Sequence, residues 1–310
     1  MHNATMIDWN DLSYFLAVAR NGSTAAAART LGVNQSTVTR RIAVLEEGLA
    51  VRLFDKHRSG YRLTRAGTDL LPHAIKVEEA VLGLCRQATS LERDLTGSLR
   101  LTTAEGVAYG LISPLLNAFH ERFPGLRVNL LIEDRYVDLS HGEADVALRA
   151  GRTIKGDLIG RKLVDGAWAA YAIQDYVDRH GCPGTAQDLN AHRLVGFEGD
   201  LERIDAAQWL HATAPSGEIA CRSNSILGHL MAAKSGVGIA LLPCHIGDPE
   251  GDLVRVLPPI REILGEFWLL THPDLHRTPK VRAFFDFMTS EIKKYRPLLL
   301  GETRRPAPAA

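Results

Sequence analysis

Gln35, Ser36, Thr37, Thr39, Arg40 and Arg41 crowd into one short stretch, and their side chains are those that match nucleic acid. Amides and hydroxyls reach base edges in a groove, and guanidinium groups hold phosphates. Such chemistry needs one rigid face. Asn34 suits a helix N-cap, and Val38, Ile42 and Leu45 recur at i, i+4 and i+7, so the spacing predicts a helix with a buried stripe. At about 100° per residue, Ser36 and Arg40 lie opposite that stripe, with Thr37 and Thr39 on its flanks.

The elements around this helix must fix its exposed face. Ser23 has the oxygen that caps a helix start, an alanine run of high helix propensity follows, and Gly32 can take the left-handed conformation that ends a helix. Before it, Asp8 to Arg20 reads as a first helix, with Leu12, Phe15, Leu16 and Ala19 on one face. After the polar helix, Gly48 closes the pattern. Val51–Phe54 and Tyr61–Thr64 are then expected as strands joined through Arg58, Ser59 and Gly60, a hairpin from which Arg58 and Arg62 reach outward. A small helical hairpin with a solvated polar face would read the same way in isolation. The charge distribution decides against it. Residues 1–65 carry nine Lys/Arg (Arg20, Arg29, Arg40, Arg41, Arg52, Lys56, Arg58, Arg62, Arg65) against five acids (Asp8, Asp11, Glu46, Glu47, Asp55), in a chain whose 36 basic and 36 acidic residues balance. Positive charge gathered at one end is the footprint of a phosphate-binding module.

Residues 22–67, GSTAAAARTLGVNQSTVTRRIAVLEEGLAVRLFDKHRSGYRLTRAG, resemble the winged helix-turn-helix of the LysR-type transcriptional regulators, down to the LF after the polar recognition helix and the LTxAG that leads into a linker. The resemblance continues to near residue 290. It implies an α+β protein: an N-terminal, mainly α winged helix-turn-helix (1–64), a linker and dimerisation helix (65–95), and a C-terminal effector-binding domain (96–296). That domain would hold two α/β lobes, the second at about 163–268, resembling type 2 periplasmic binding proteins. The recognition helix would lie in the major groove, with Ser23, Gln35, Ser36, Thr37, Thr39, Arg40, Arg41, Arg58 and Arg62 as DNA contacts.

The linker carries its own signal. Leu70, Ala74, Val77, Val81, Leu84, Ala88, Leu91 and Leu95 alternate spacings of four and three, a heptad repeat that needs a partner helix to bury its seam. It would extend roughly 38 Å, with Pro72 weakening the first turns. Leu70, Val77, Val81, Leu84 and Leu91 are the expected dimer contacts. A two-fold protein calls for double-stranded DNA with an inverted repeat. The resemblance further implies a homotetramer, with RNA polymerase as a candidate partner.

From Gly97, strand and helix patterns alternate. Strands are expected at 99–103, 128–133, 145–149, 195–197, 218–223, 238–243 and 267–272, with helices at Val107–Phe123, Leu139–Glu143, Ile226–Ser235 and Val281–Tyr295. The pattern reads as a mostly parallel sheet covered on both faces. Residues 297–310 are polar and proline-rich, the composition of a disordered tail. Such sheets bind ligands at the carboxyl ends of their strands. Candidates there are Thr102, Thr103, Glu105 and Arg149 in the first lobe, and Phe197, Asn224 and Ser225 in the second. The expected effector is a small molecule, an anion favoured by Arg149 and by helix N-terminal amides. Glu105 opposes that choice unless it points away or pairs with Arg149, and it leaves a hydroxylated or cationic ligand open. Ordinary strand content for Thr102 and Thr103, and plain helix capping for Ser225, are the competing readings.

Catalysis finds no support: the chain has no GxSxG elbow, P-loop or GxGxxG. Cys85, Cys182, Cys221 and Cys244 form no CxxC pair, the twelve histidines show no HExxH spacing, and no cofactor or metal is expected. No apolar run reaches membrane-spanning length, and MHNATMIDWN lacks a signal peptide's basic and apolar regions, so a cytoplasmic protein is expected. A solute-binding protein without DNA function and an enzyme on the α/β part are the rival classes, and a regulator without a ligand is the rival within the leading one.

Overall fold

The computed structural model describes residues 8, 10–57, 60–90, 95–133, 137–140, 142–151 and 157–302, with side chains omitted from 85 to 90. Arg58, Leu91 and the last eight residues of the expected tail lie outside them. The chain forms two compact units, residues 1–88 and 89–310.

The first unit opens with three helices, α1 (Asn10–Asn21), α2 (Thr24–Leu31) and α3 (Gln35–Leu49). Phe15, Leu16, Val18, Ala27, Val38, Ile42 and Leu45 form its core. Ser23 caps α2 by accepting from the Ala26 amide at 3.0 Å, and Gly32 ends it at φ +64°. Asn34 makes no capping bond to α3, contrary to expectation. That helix also runs past Gly48 to Leu49, and Ala50 takes the left-handed conformation at φ 53°.

A hairpin of β1 (Phe54–His57) and β2 (Gly60–Leu63) follows, its first strand three residues later than expected. The reason is Glu46, whose carboxylate accepts the Leu53 and Phe54 amides at 2.7 and 3.1 Å and so holds the segment before β1 to α3. Thr64 starts α4 (Arg65–Ser90), its hydroxyl accepting from the Gly67 amide. A Cβ on Gly67 would lie 2.2 Å from the Leu53 carbonyl oxygen, so only glycine fits there. The helix continues through Pro72. Ala74 is buried in the unit's core with Leu70, Leu71 and Ile75 beside it, so the heptad seam is internal at its start and opens to solvent from Val77.

The second unit is a mixed sheet with helices. It begins with β3 (Gly97–Thr103), α5 (Glu105–Val107), a π-helical turn at Ala108–Ile112, α6 (Ser113–Arg122), β4 (Leu126–Ile132) and β5 (Val146–Ala150). Residues 139–140 form a turn where a short helix was expected. Then come β6 (Ile159–Ile173), α7 (Gln174–His180), β7 (Arg193–Phe197), α8 (Asp205–Thr213), β8 (Glu218–Ser223), α9 (Ile226–Lys234), β9 (Ala240–Pro243) and α10 (Cys244–Gly247). The unit closes with β10 (Leu253–Arg255), β11 (Ile260–Thr271), α11 (Pro273–His276) and α12 (Pro279–Leu299).

The sheet expected to be mostly parallel is mixed: β3 pairs in parallel with β4 and β5, and β7 with β8, but most pairings of the large sheet are antiparallel because two long strands return across it. The long strands β6 and β11 are antiparallel to each other and to β9, β10 and β5. Passing between the two lobes, they make one continuous curled sheet of seven strands. One hydrophobic core lies under α6 and α12 around Phe119, Phe284 and Phe287, and another lies in the second lobe around Tyr176, Phe197 and Leu210. The last helix runs beyond the expected Tyr295. Arg255 donates to the carbonyl of Gly301 at 2.9 Å and is paired with Asp248, which also accepts from Tyr171. Residues 297–302 therefore belong to the folded unit.

Candidate DNA-binding face and effector cleft

Gln35, Ser36 and Arg40 are exposed on α3, and Thr37 and Thr39 are half-buried on its flanks. Val38, Ile42 and Leu45, at 0, 4 and 2% exposure, turn the other side inward. The face is partly pre-set. Gln35 Nε2 donates to Thr24 Oγ1 at 3.1 Å, which fixes the amide from α2, and Thr39 donates to the Gln35 carbonyl. Ser23 accepts the Ala26 amide as the cap of α2, which leaves its hydroxyl proton able to donate. Arg41 departs from the expected role: it donates to Asp11 at 3.3 Å and Asp8 at 3.5 Å, tying α3 to α1. Burial holds the Asp11 carboxyl above its usual range despite that arginine. Arg62 is exposed on β2 opposite Asp55, and the Tyr61 amide donates to the Gly22 carbonyl, which pins the hairpin to the α1–α2 turn. On α4, Lys76, Val77, Ala80, Val81 and Leu84 form an open, mainly apolar hollow, and Leu84 is 66% exposed.

In the second unit the cleft residues separate into two groups. Ser225 Oγ donates to Glu105 Oε2 at 2.5 Å and also caps α9 by accepting from the Gly228 amide, so the starts of two helices meet across the lobes. Thr103 is fully buried, and its hydroxyl has no hydrogen-bond partner. Thr102, also fully buried, accepts from Arg149 Nη2 at 2.9 Å, while Arg149 Nη1 donates to the Glu133 carbonyl. Thr102 thus acts by positioning a half-buried cation. Asn224 is exposed beside Gly199.

Phe197 does not line the cleft. It is fully buried in the second lobe's core, 4.2 Å between centroids from the His229 ring and edge-on to Trp168. A strand-end aromatic reads alike whether it faces a cleft or a core, and only the packed neighbours distinguish the two.

Two buried histidines were missed by sequence reasoning, because nothing in the local pattern marks them. His229 Nε2 lies 3.3 Å from the Ser223 carbonyl and its Nδ1 has no partner, and both ring nitrogens of His245 are buried without one. His245 stands edge-on to Phe267, and a Cβ on Gly110 would lie 2.6 Å from its ring. Burial pushes both imidazoles down to about 4. Among the described residues no group of His, Cys, Asp and Glu could hold a metal ion, and no helix is long and apolar enough to cross a membrane.

Comparisons with known proteins agree with this geometry. Residues 9–68 match the family described as "Bacterial regulatory helix-turn-helix protein, lysR family", and residues 92–293 match "LysR substrate binding domain". The probable HTH-type transcriptional regulator LtrA of Klebsiella pneumoniae is 30% identical over 295 residues, spanning 91% of this chain and 94% of its own. The full-length structure of the Vibrio cholerae virulence activator AphB aligns with a TM-score of 0.61 at 26% identity, covering 91% of this chain and 98% of that one. The structure of CrgA, a LysR-type regulator from Neisseria meningitidis, aligns with a TM-score of 0.55 at 26% identity over the same shares. The exposed polar helix, the hairpin pinned beside it and the two-lobed sheet domain are thus the parts of a regulator and not of an enzyme: the chain belongs to the LysR family of DNA-binding transcriptional regulators, with an N-terminal helix-turn-helix and a C-terminal effector-binding domain.

Proposed function

We propose that the protein works in the cytoplasm as a homodimer, joined further into a tetramer, on an operator of two inverted half-sites. Gln35, Ser36 and Thr39 read base edges in the major groove, Arg40 holds phosphate, and Arg62 of the hairpin, with Arg58, which lies outside the described residues, contacts the backbone or minor groove. Arg41 serves to position the helix. The observation that carries the reading is the division of α3 into a buried apolar stripe and an exposed face of amide, hydroxyl and guanidinium. The segment 65–95, whose described helix is α4, acts in dimerisation, and 96–296 as the effector-binding part.

The effector is a small polar molecule in the cleft between Thr103 and Ser225; Arg149 favours an anion, and Glu105, which accepts from Ser225 there, leaves a hydroxylated or cationic ligand open. The unpartnered Thr103 hydroxyl and the half-buried Arg149 support it. A ligand that prefers one placement of the lobes shifts their equilibrium by its differential affinity, and a coupling of about 1–3 kcal/mol changes operator affinity or bending some 5- to 150-fold. RNA polymerase is the partner through which such a change reaches transcription.

Selection of bound DNA from a random pool tests this. The wild type should enrich an inverted repeat. Gln35→Ala should lose roughly 1–3 kcal/mol of preference at one base position per half-site, and Arg40→Ala should weaken all sequences alike. An unchanged preference in Gln35→Ala would refute the assignment.

A further inference from the structure

On the first lobe, the start of β6 and helices α11 and α12 enclose a pocket of about 320 Å³, within the range of small-molecule sites. It lies apart from the cleft. Arg161, Leu269, Leu148 and Thr103 lie in register across four adjacent strands, so Arg161 is three strand spacings, about 14 Å, from Thr103.

The lining is apolar below and cationic at the rim. Phe285, buried to 4% exposure, meets the His276 ring edge-on at 5.9 Å, and Ile159 is half-buried beside them. Arg282 is exposed, and among the described residues its guanidinium has neither an ion pair nor a hydrogen bond; the His276 ring nitrogens have no hydrogen-bond partner either. Arg161 has Asp286 at 3.8 Å, a contact between side chains 49 and 72% exposed, which is worth little. Two guanidinium groups and an imidazole therefore line one pocket with a single, loosely held carboxylate.

We propose that this pocket is a second ligand site, for a small organic acid whose carboxylate lies between Arg161 and Arg282 and whose apolar body rests on Phe285 and Ile159. Arg–carboxylate pairs supply directional, charge-assisted bonds, and the incoming carboxylate displaces Asp286 from Arg161. The apolar floor selects against inorganic anions, and the net positive rim selects against cations.

Calorimetry on the full chain with phenylacetate, 2-phenylethanol and inorganic phosphate tests it. Phenylacetate should bind the wild type, and the two controls, each lacking one half of the recognised chemistry, should not. The double variant Arg161→Ala, Arg282→Ala should bind phenylacetate at least about tenfold more weakly. Asp286→Asn should bind it more tightly, an effect that mere damage to the fold would not produce. Thr103→Val and Ser225→Ala should leave it unchanged, which separates this pocket from the cleft. Equal binding by the double variant, loss of binding in the Thr103 or Ser225 variant, or no binding by the wild type at millimolar phenylacetate would each overturn the proposal.

Discussion

Ser225 and Glu105, 120 residues apart, share a hydrogen bond of 2.5 Å that joins the start of α9 to the start of α5. The same hydroxyl oxygen accepts from Gly228, so one small side chain both caps a helix and fastens the lobes together. Ser225→Ala removes both functions. It should cost about 1–3 kcal/mol, a missing cap plus a carboxylate deprived of its donor. Urea unfolding of the wild type and variant measures this, and Ser225→Thr, which keeps the hydroxyl, should recover most of the loss.

His245 and His229 make stability depend on pH. Their folded values lie near 4, below the ordinary 6.5, so the unfolded chain takes up protons that the folded chain refuses. The contribution is therefore complete above about pH 6.5 and is lost as pH falls from there toward 4. Each histidine accounts for about 3 kcal/mol over that window. His245→Leu should flatten the decline seen in denaturant unfolding between those limits. An equally steep decline in the variant would show that other groups set it.

The apolar hollow around Val77, Ala80, Val81 and Leu84 predicts a helix-to-helix dimer, since Leu84 is 66% exposed among the described residues. Val81→Asp with Leu84→Asp would bury unpaired carboxylates in that seam. Sedimentation should show the mass halving, or falling further if dimers associate. Leu70→Asp should instead unfold the helix-turn-helix unit, because Leu70 packs beside Ala74 against its core.

Ala50 ends α3 with φ at 53°, and it is the one described residue other than glycine with positive φ. Left-handed backbone costs an ordinary residue roughly 1–2 kcal/mol, part of which glycine returns through its freer unfolded chain. Ala50→Gly should therefore raise the melting point, by about 0.5–1 kcal/mol in free energy. A fall in melting point would show that the Ala50 methyl packs better than its exposure suggests.

The sequence alone determined the local devices. The stripe Val38, Ile42 and Leu45, the cap at Ser23 and the stop at Gly32 follow from 3.6-residue periodicity and backbone preference, which act within a few residues. Strand β8 was legible at Glu218–Ser223 for the same reason. The tertiary structure decided what depends on distant partners. β6 runs fifteen residues through an alanine-rich segment whose composition does not mark a strand, and pairing with β9, β10 and β11 makes it one. Phe197 went to the core because His229 and Trp168 wait there, and Arg41 was taken by Asp8 and Asp11. Leu70 obeyed the heptad spacing yet packed inward, since periodicity says which residues share a face and not what that face meets. The pairing of Ser225 with Glu105 was likewise beyond reach: hydrogen bonds form over about 3 Å of space, and sequence separation carries no information on that distance.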